Sequence, residues 1–193
     1  MENVAFEDLV LRHGHTVYRF CYKLAGNKAD ADDLYQETFL KAVELHPKLD
    51  VSLNPTSYLI GIAVRLWKNR RRKWLRRQQI APEKDWDDTV PERASESGVP
   101  SSPEEIAIYN ELSAMIRDAV DQLHDKYRLP LLMFYTAELS VGEIAKTLNI
   151  PQGTVKSRLH KARKMLERRM EVWEYGPTRS MGAFIEAISH PKH

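Results

Sequence analysis

The side chains whose types and spacing could do chemistry form three groups: a carboxylate cluster, a basic run with tryptophans in it, and a polar face on a helical segment in the C-terminal half. The carboxylates are Asp30, Asp32, Asp33 and Glu37. Asp33 and Glu37 are i,i+4 neighbours and Asp30 could join them, which raises a divalent cation as a ligand. Two simpler roles weigh more. Carboxylates in a first helical turn complement the helix dipole, and exposed acids attract basic partners. No metal is expected. His13 and His15 lie two apart on a helix and so do not share a face, and Cys21 falls on an apolar stripe. With no nucleophile–base pair and no phosphate-cradling glycine loop, the chain is not expected to be an enzyme, to hold a cofactor or to take a small-molecule substrate. A metal-dependent nucleic-acid enzyme built on the acidic cluster is the weakest functional class.

The basic run spans residues 65–77, Arg65-Leu66-Trp67-Lys68-Asn69-Arg70-Arg71-Arg72-Lys73-Trp74-Leu75-Arg76-Arg77. Cations neutralise phosphates, and aromatic rings offer surfaces on which unstacked bases can sit. Arg65, Asn69, Arg72 and Arg76 share one helical face by spacing. Alone, such a run is more often a generic polyanion patch than a specific reader, and Trp74 suits packing as well as stacking.

Residues 140–159 read as a helix-turn-helix. Ser140 and Glu143 have the spacing of a capping box. Ile144, Ala145 and Leu148 face inward, with Ala145 small where a second helix must pass close. Asn149 sits at the turn, where asparagine tolerates a left-handed backbone. Val155, Leu159, Ala162 and Leu166 stripe the inner face of the second helix. Lys156, Ser157, His160, Lys161 and Lys164 are left on one outer face, flanked by Arg158 and Arg163. Donors at the start of such a helix and cations further on match the major groove and its phosphates. A merely solvated face is the weaker alternative, because the turn chemistry and both stripes agree.

These groups need helices to position them. Phe6, Leu9, Val10, Val17, Phe20, Cys21 and Leu24 recur at helical spacing until Gly26-Asn27. A second helix is expected over about 28–45, ended by His46-Pro47. Asn54-Pro55 starts a third, striped by Leu59, Ile62 and Leu66, which continues into the basic run to about residue 77. Ser102-Pro103-Glu104-Glu105 opens a further helix with Ile106, Tyr109, Leu112, Ile116, Ala119 and Leu123 on one face. Helices over about 125–137, 140–148 and 153–175 follow. Pro130 is tolerable only in a first turn or at a kink. No strand is expected.

The 193 residues carry a formal net charge of +2, and that near-neutral total hides segregation. Residues 1–80 carry net +5, 81–105 net −6, 106–175 net +2 and 176–193 net +1. The acidic block also holds Pro82, Pro91, Pro100, Pro103, Gly98 and several serines, a composition that cannot offset ordering entropy by burial. The expected fold class is therefore all-α: two small helical domains, 1–80 and 103–175, joined by a flexible acidic linker at 81–102, with an extension at 176–193. A single cysteine excludes an internal disulfide and fits a reducing compartment. No stretch approaches the ~20 apolar residues of a membrane span, and the first residues lack the pattern of a signal peptide. Transmembrane, secreted, collagen-like and disulfide-scaffold classes are excluded, and a cytoplasmic location is expected.

With these residues in hand, the chain resembles a bacterial extracytoplasmic-function (ECF, group 4) RNA polymerase sigma factor over about residues 5–175. Residues 30–42, Asp30-Ala31-Asp32-Asp33-Leu34-Tyr35-Gln36-Glu37-Thr38-Phe39-Leu40-Lys41-Ala42, look like the family's region 2.2. Residues 127–135, Tyr127-Arg128-Leu129-Pro130-Leu131-Leu132-Met133-Phe134-Tyr135, look like region 4.1. The segment Gly153-Thr154-Val155-Lys156-Ser157-Arg158-Leu159-His160-Lys161-Ala162-Arg163 looks like region 4.2.

The resemblance implies partners and roles. Asp33, Gln36, Glu37 and Leu40 would dock on the β′ coiled coil of core RNA polymerase, and the second domain would meet the β flap. The loop from about Leu45 to Pro55 and the helix after it, with Tyr58, Arg65, Lys68, Asn69 and Arg72, would bind the promoter's minus-ten element, where a flipped base needs contacts to offset unstacking. Arg65 stands where the family often has an amide, which points to a phosphate contact there. Tyr58-Leu59 replaces the usual Trp-Leu, and Leu123-His124 the usual Leu-Pro. Thr154, Lys156, Ser157, Arg158, His160, Lys161 and Lys164 would read the minus-thirty-five element in promoter DNA. The acidic linker would thread a positively charged polymerase channel. This group is commonly held by an anti-sigma factor, often membrane-anchored, which would keep the chain at the inner membrane face. The rival class is an autonomous helix-turn-helix regulator, in which the acidic-and-Gln face of residues 33–40 would have no purpose.

Overall fold

The computed structural model describes residues 2–45, 54–80 and 114–171, and all of these that lie in regular elements are helical. The expected linker at 81–102, the cap at Ser102 with Ile106, Tyr109 and Leu112 after it, the stop at His46-Pro47 with most of the loop at about 45–55, and the extension at 176–193 lie outside the described residues. The chain divides into two compact units, 1–93 and 94–193.

In the first unit, α1 (Glu2–Ala25), α2 (Lys28–Leu45) and α3 (Pro55–Ile80) each pack on the other two. Gly26 ends α1 at φ 87°, a left-handed geometry that costs glycine little, and its N–H bonds the Tyr22 carbonyl at 3.0 Å. Asn27 then caps α2. Its side-chain oxygen accepts from the Asp30 N–H at 2.9 Å, and its amide donates to the Asp30 carboxylate at 2.8 Å. Asn54 caps α3 in the same way, accepting from the Thr56 N–H at 3.0 Å. Val17, Phe20, Leu24, Leu34 and Leu59 close the core. The buried face of α3 is wider than the expected stripe: Ile60, Ala63 and Val64 are buried with Leu59 and Ile62, because two helices cover it, whereas Leu66 is half-buried. A Cβ at Gly14 would stand 2.9 Å from the Tyr35 hydroxyl, so glycine there lets α1 and α2 approach. Thr56 Oγ1 and His13 Nδ1, 2.9 Å apart, tie α3 to α1.

Cys21 is fully buried, and burial pushes its thiol up to about 12. The thiolate is the reactive form. Alkylation by iodoacetamide at pH 8 is therefore expected to be at least tenfold slower in the native chain than in denaturant. Equal rates would place Cys21 at the surface.

The second unit holds α4 (114–121), α5 (Asp125–Tyr135), α6 (Val141–Leu148) and α7 (Gln152–Glu171). Leu129, Leu131, Leu132 and Met133 are all buried, so α5 is apolar nearly all round and forms the centre of the unit. It ends two residues before the expected boundary, where the Thr136 N–H bonds the Leu132 carbonyl at 2.8 Å. Pro130 lies in the second turn of α5, not the first, and withdraws the donor that the Lys126 carbonyl would otherwise receive. Glu138, between α5 and α6, is held at φ 55°, a left-handed residue that neither composition nor spacing marks.

Candidate nucleic-acid interfaces and docking face

The turn between α6 and α7 is built by local chemistry. Ser140 Oγ accepts from the Glu143 N–H at 3.3 Å, while the Glu143 carboxylate accepts from the Ser140 N–H at 2.7 Å, a complete capping box. Asn149 closes α6 at φ 54°, ψ 53°, and the Ile150 N–H returns to the Ala145 carbonyl at 3.0 Å. The Pro151 carbonyl then accepts from the N–H groups of Thr154 and Val155, at 2.9 and 3.2 Å, and starts α7 one residue ahead of the expected Gly153.

Helix α7 presents two faces. Val155, Leu159, Ala162 and Leu166 are buried, and Lys156, Ser157, His160, Lys161 and Lys164 are exposed together on the other side. Thr154 and Arg158 are half-buried at the margin. Ser157 Oγ donates to the Thr154 carbonyl at 3.0 Å, so in this rotamer it offers an incoming group its lone pairs only. Arg163 does not flank that face as a free cation. Its Nε donates to Tyr135 Oη at 2.9 Å, and its guanidinium lies over the Phe134 and Tyr135 rings, fastening α7 to α5.

On α3, Arg65, Lys68, Asn69 and Arg72 are exposed on the solvent side, and Tyr58 is half-buried in the first turn. Burial raises the Tyr58 hydroxyl above its ordinary range, partly opposed by the charge of Arg65, so it stays a neutral donor. Trp67 is half-buried beneath the Arg71 guanidinium, 5.3 Å from the ring centroid, while Trp74 and Leu75 lie at the surface. Arg70 points to α2: its Nη2 and Nε donate to one Glu37 oxygen at 2.5 and 3.2 Å.

On α2, Asp33, Gln36 and Leu40 are exposed, Leu40 at 62%, while Glu37 is occupied by Arg70. Val43, one turn beyond Leu40 and 45% exposed, extends this apolar strip and is absent from the residues singled out by sequence. Leu40 and Val43 thus leave apolar surface uncovered beside the polar side chains of Asp33 and Gln36. The other acids of the cluster have structural uses. Asp30 completes the cap with Asn27, and Asp32 accepts from the Tyr18 hydroxyl at 2.8 Å. Burial and that carboxylate push Tyr18 up to about 12. No group of three His, Cys, Asp or Glu side chains among the described residues could hold a metal, and no helix among them is long and apolar enough to cross a membrane.

Two family models match the two units: Sigma-70 region 2 over residues 9–78, and Sigma-70 region 4 over residues 113–166. The chain is 33% identical over 168 residues to the ECF RNA polymerase sigma factor SigW of Bacillus subtilis, covering 86% of this chain and 89% of that one. It is 33% identical over 172 residues to SigL of Mycobacterium tuberculosis, covering 86% and 88%. Among solved structures, the sigma factor RpoE of Bartonella quintana, crystallised with the anti-sigma factor NepR, has the same fold. It superposes with a TM-score of 0.72 at 20% identity, covering 87% of this chain and 98% of that one. The chain belongs to the extracytoplasmic-function (ECF) RNA polymerase sigma factors, alternative promoter-specificity subunits that initiate transcription.

Proposed function

We propose that this ECF sigma factor, of the group 4 kind in which regions 2 and 4 suffice, carries three working faces. Asp33, Gln36 and Leu40, joined by Val43, dock on the β′ coiled coil of core polymerase, with Glu37 at the rim. Tyr58, Arg65, Lys68, Asn69 and Arg72 bind the opened minus-ten element. Thr154, Lys156, Ser157, Arg158, His160, Lys161 and Lys164 bind the minus-thirty-five element, through its bases or its phosphates. The protein forms and breaks no covalent bond itself. It works in the cytoplasm, where an anti-sigma factor, as in the RpoE–NepR complex, holds it between uses.

The observation that carries this assignment is the exposed Leu40–Val43 strip beside Asp33 and Gln36 on α2, in the unit whose α3 displays the basic run. An autonomous regulator could dimerise through the apolar strip but has no use for the acidic-and-Gln side of this face. The test is run-off transcription from a template pool with bacterial core polymerase. Core plus the chain should give discrete transcripts that core alone does not, and prior chelation of all but the polymerase's own magnesium should change nothing. An unchanged transcript pattern on adding the chain would refute the assignment.

A further inference from the structure

Tyr127 joins the first turn of α5 to the outer face of α7. Lys126 Nζ lies 5.0 Å from its ring centroid and Lys161 Nζ 5.9 Å, both within the ~6 Å over which a ring quadrupole attracts a cation. Both lysines are exposed, and neither forms an ion pair among the described residues. Two like charges held by one ring repel each other, and a bound anion would relieve that repulsion. Lys161 belongs to the same exposed face as Lys156, Ser157, His160 and Lys164, one turn beyond Ser157. A helix seated in the major groove reads bases with its N-terminal residues and meets the strand backbones with its later ones. Tyr127 thus brings a cation from outside the helix-turn-helix to the phosphate-facing part of α7.

We propose that Lys126, Tyr127 and Lys161 form a phosphate-binding corner that grips the promoter backbone beside the groove occupied by α7. This rests on α7 being the promoter-reading helix. The compact ammonium group suits a phosphate oxygen as a point charge, and the aromatic ring attracts both ammonium groups without neutralising either. The corner adds affinity and register but carries no sequence information.

The test uses holoenzyme reconstituted from the full chain and bacterial core polymerase, with a promoter duplex selected from a random pool by the parent holoenzyme. Lys126→Gln removes the charge and keeps the stem. The slope of log K against log salt should become shallower by about 0.9, the change for one phosphate contact. Affinity should fall by a similar factor on the selected duplex and on one with altered minus-thirty-five bases. On a duplex truncated downstream of that element, parent and variant should bind alike. A variant with the parent's slope overturns the proposal. So does a variant that loses affinity for core polymerase itself, since the corner would then serve an acidic protein segment. If Lys156→Ala also leaves upstream binding untouched, the recognition-helix assignment fails and takes the corner with it.

Discussion

Asp33→Arg is expected to abolish co-elution of the chain with bacterial core RNA polymerase while leaving its far-UV circular dichroism unchanged. Asp33 is exposed in the second turn of α2 and forms no ion pair among the described residues, so the fold does not depend on it. If Asp33 is the docking carboxylate proposed above, an arginine there puts a like charge against a basic partner, a juxtaposition that costs several kcal/mol. A loss of at least tenfold in affinity, about 1.4 kcal/mol, is the smallest effect consistent with the assignment. Glu37→Ala should do less, because Glu37 already has Arg70 as a partner and would have to give up that contact to meet another. Lost helicity in Asp33→Arg would mean that the residue supports α2. Full binding with intact helicity would move the interface elsewhere.

Lys156→Ala should reduce affinity for the selected promoter by about 1–3 kcal/mol, the worth of one bidentate base contact, and relax discrimination at one base pair of the minus-thirty-five element. Lys156 is exposed near the start of α7, the end proposed to enter the groove. Lys161→Ala should behave differently. Its ammonium lies 5.9 Å from the Tyr127 ring centroid, in the proposed phosphate-binding corner, so its loss should weaken all sequences alike and lower the salt slope. Filter binding of holoenzyme carrying either variant to the selected duplex and to single-base substitutions separates the two. If both variants discriminate like the parent, α7 does not read bases through these lysines.

The contrast between the two lysines shows what sequence spacing can and cannot reveal. The capping box at Ser140 and Glu143, the left-handed Asn149, the bounds of α2 and the buried stripe of α7 were legible because each is set by residues a few positions apart. The ties from Arg70 to Glu37, from Arg163 to Tyr135 and from Lys161 to Tyr127 were not, because they join residues 33, 28 and 34 positions apart and exist only once helices pack. Those ties divide one basic run and one polar face into cations that hold the fold and cations left for a ligand. The width of the buried face of α3 was hidden for the same reason: spacing marks a stripe, whereas the number of neighbouring helices decides how much more is covered. Composition could place acids at the start of α2, but Asp30 in a cap, Asp32 under a tyrosine hydroxyl and Asp33 in solvent are distinctions of packing.

The most direct test of the central claim, that two DNA-reading units act together on core polymerase, is selection of binding sites from a random double-stranded pool with and without core. With core, the chain should enrich two conserved blocks at one fixed spacing, neither of them palindromic, and without core it should enrich nothing. A palindromic site enriched by the chain alone, as a two-fold symmetric dimer requires, would contradict the account and mark an autonomous regulator.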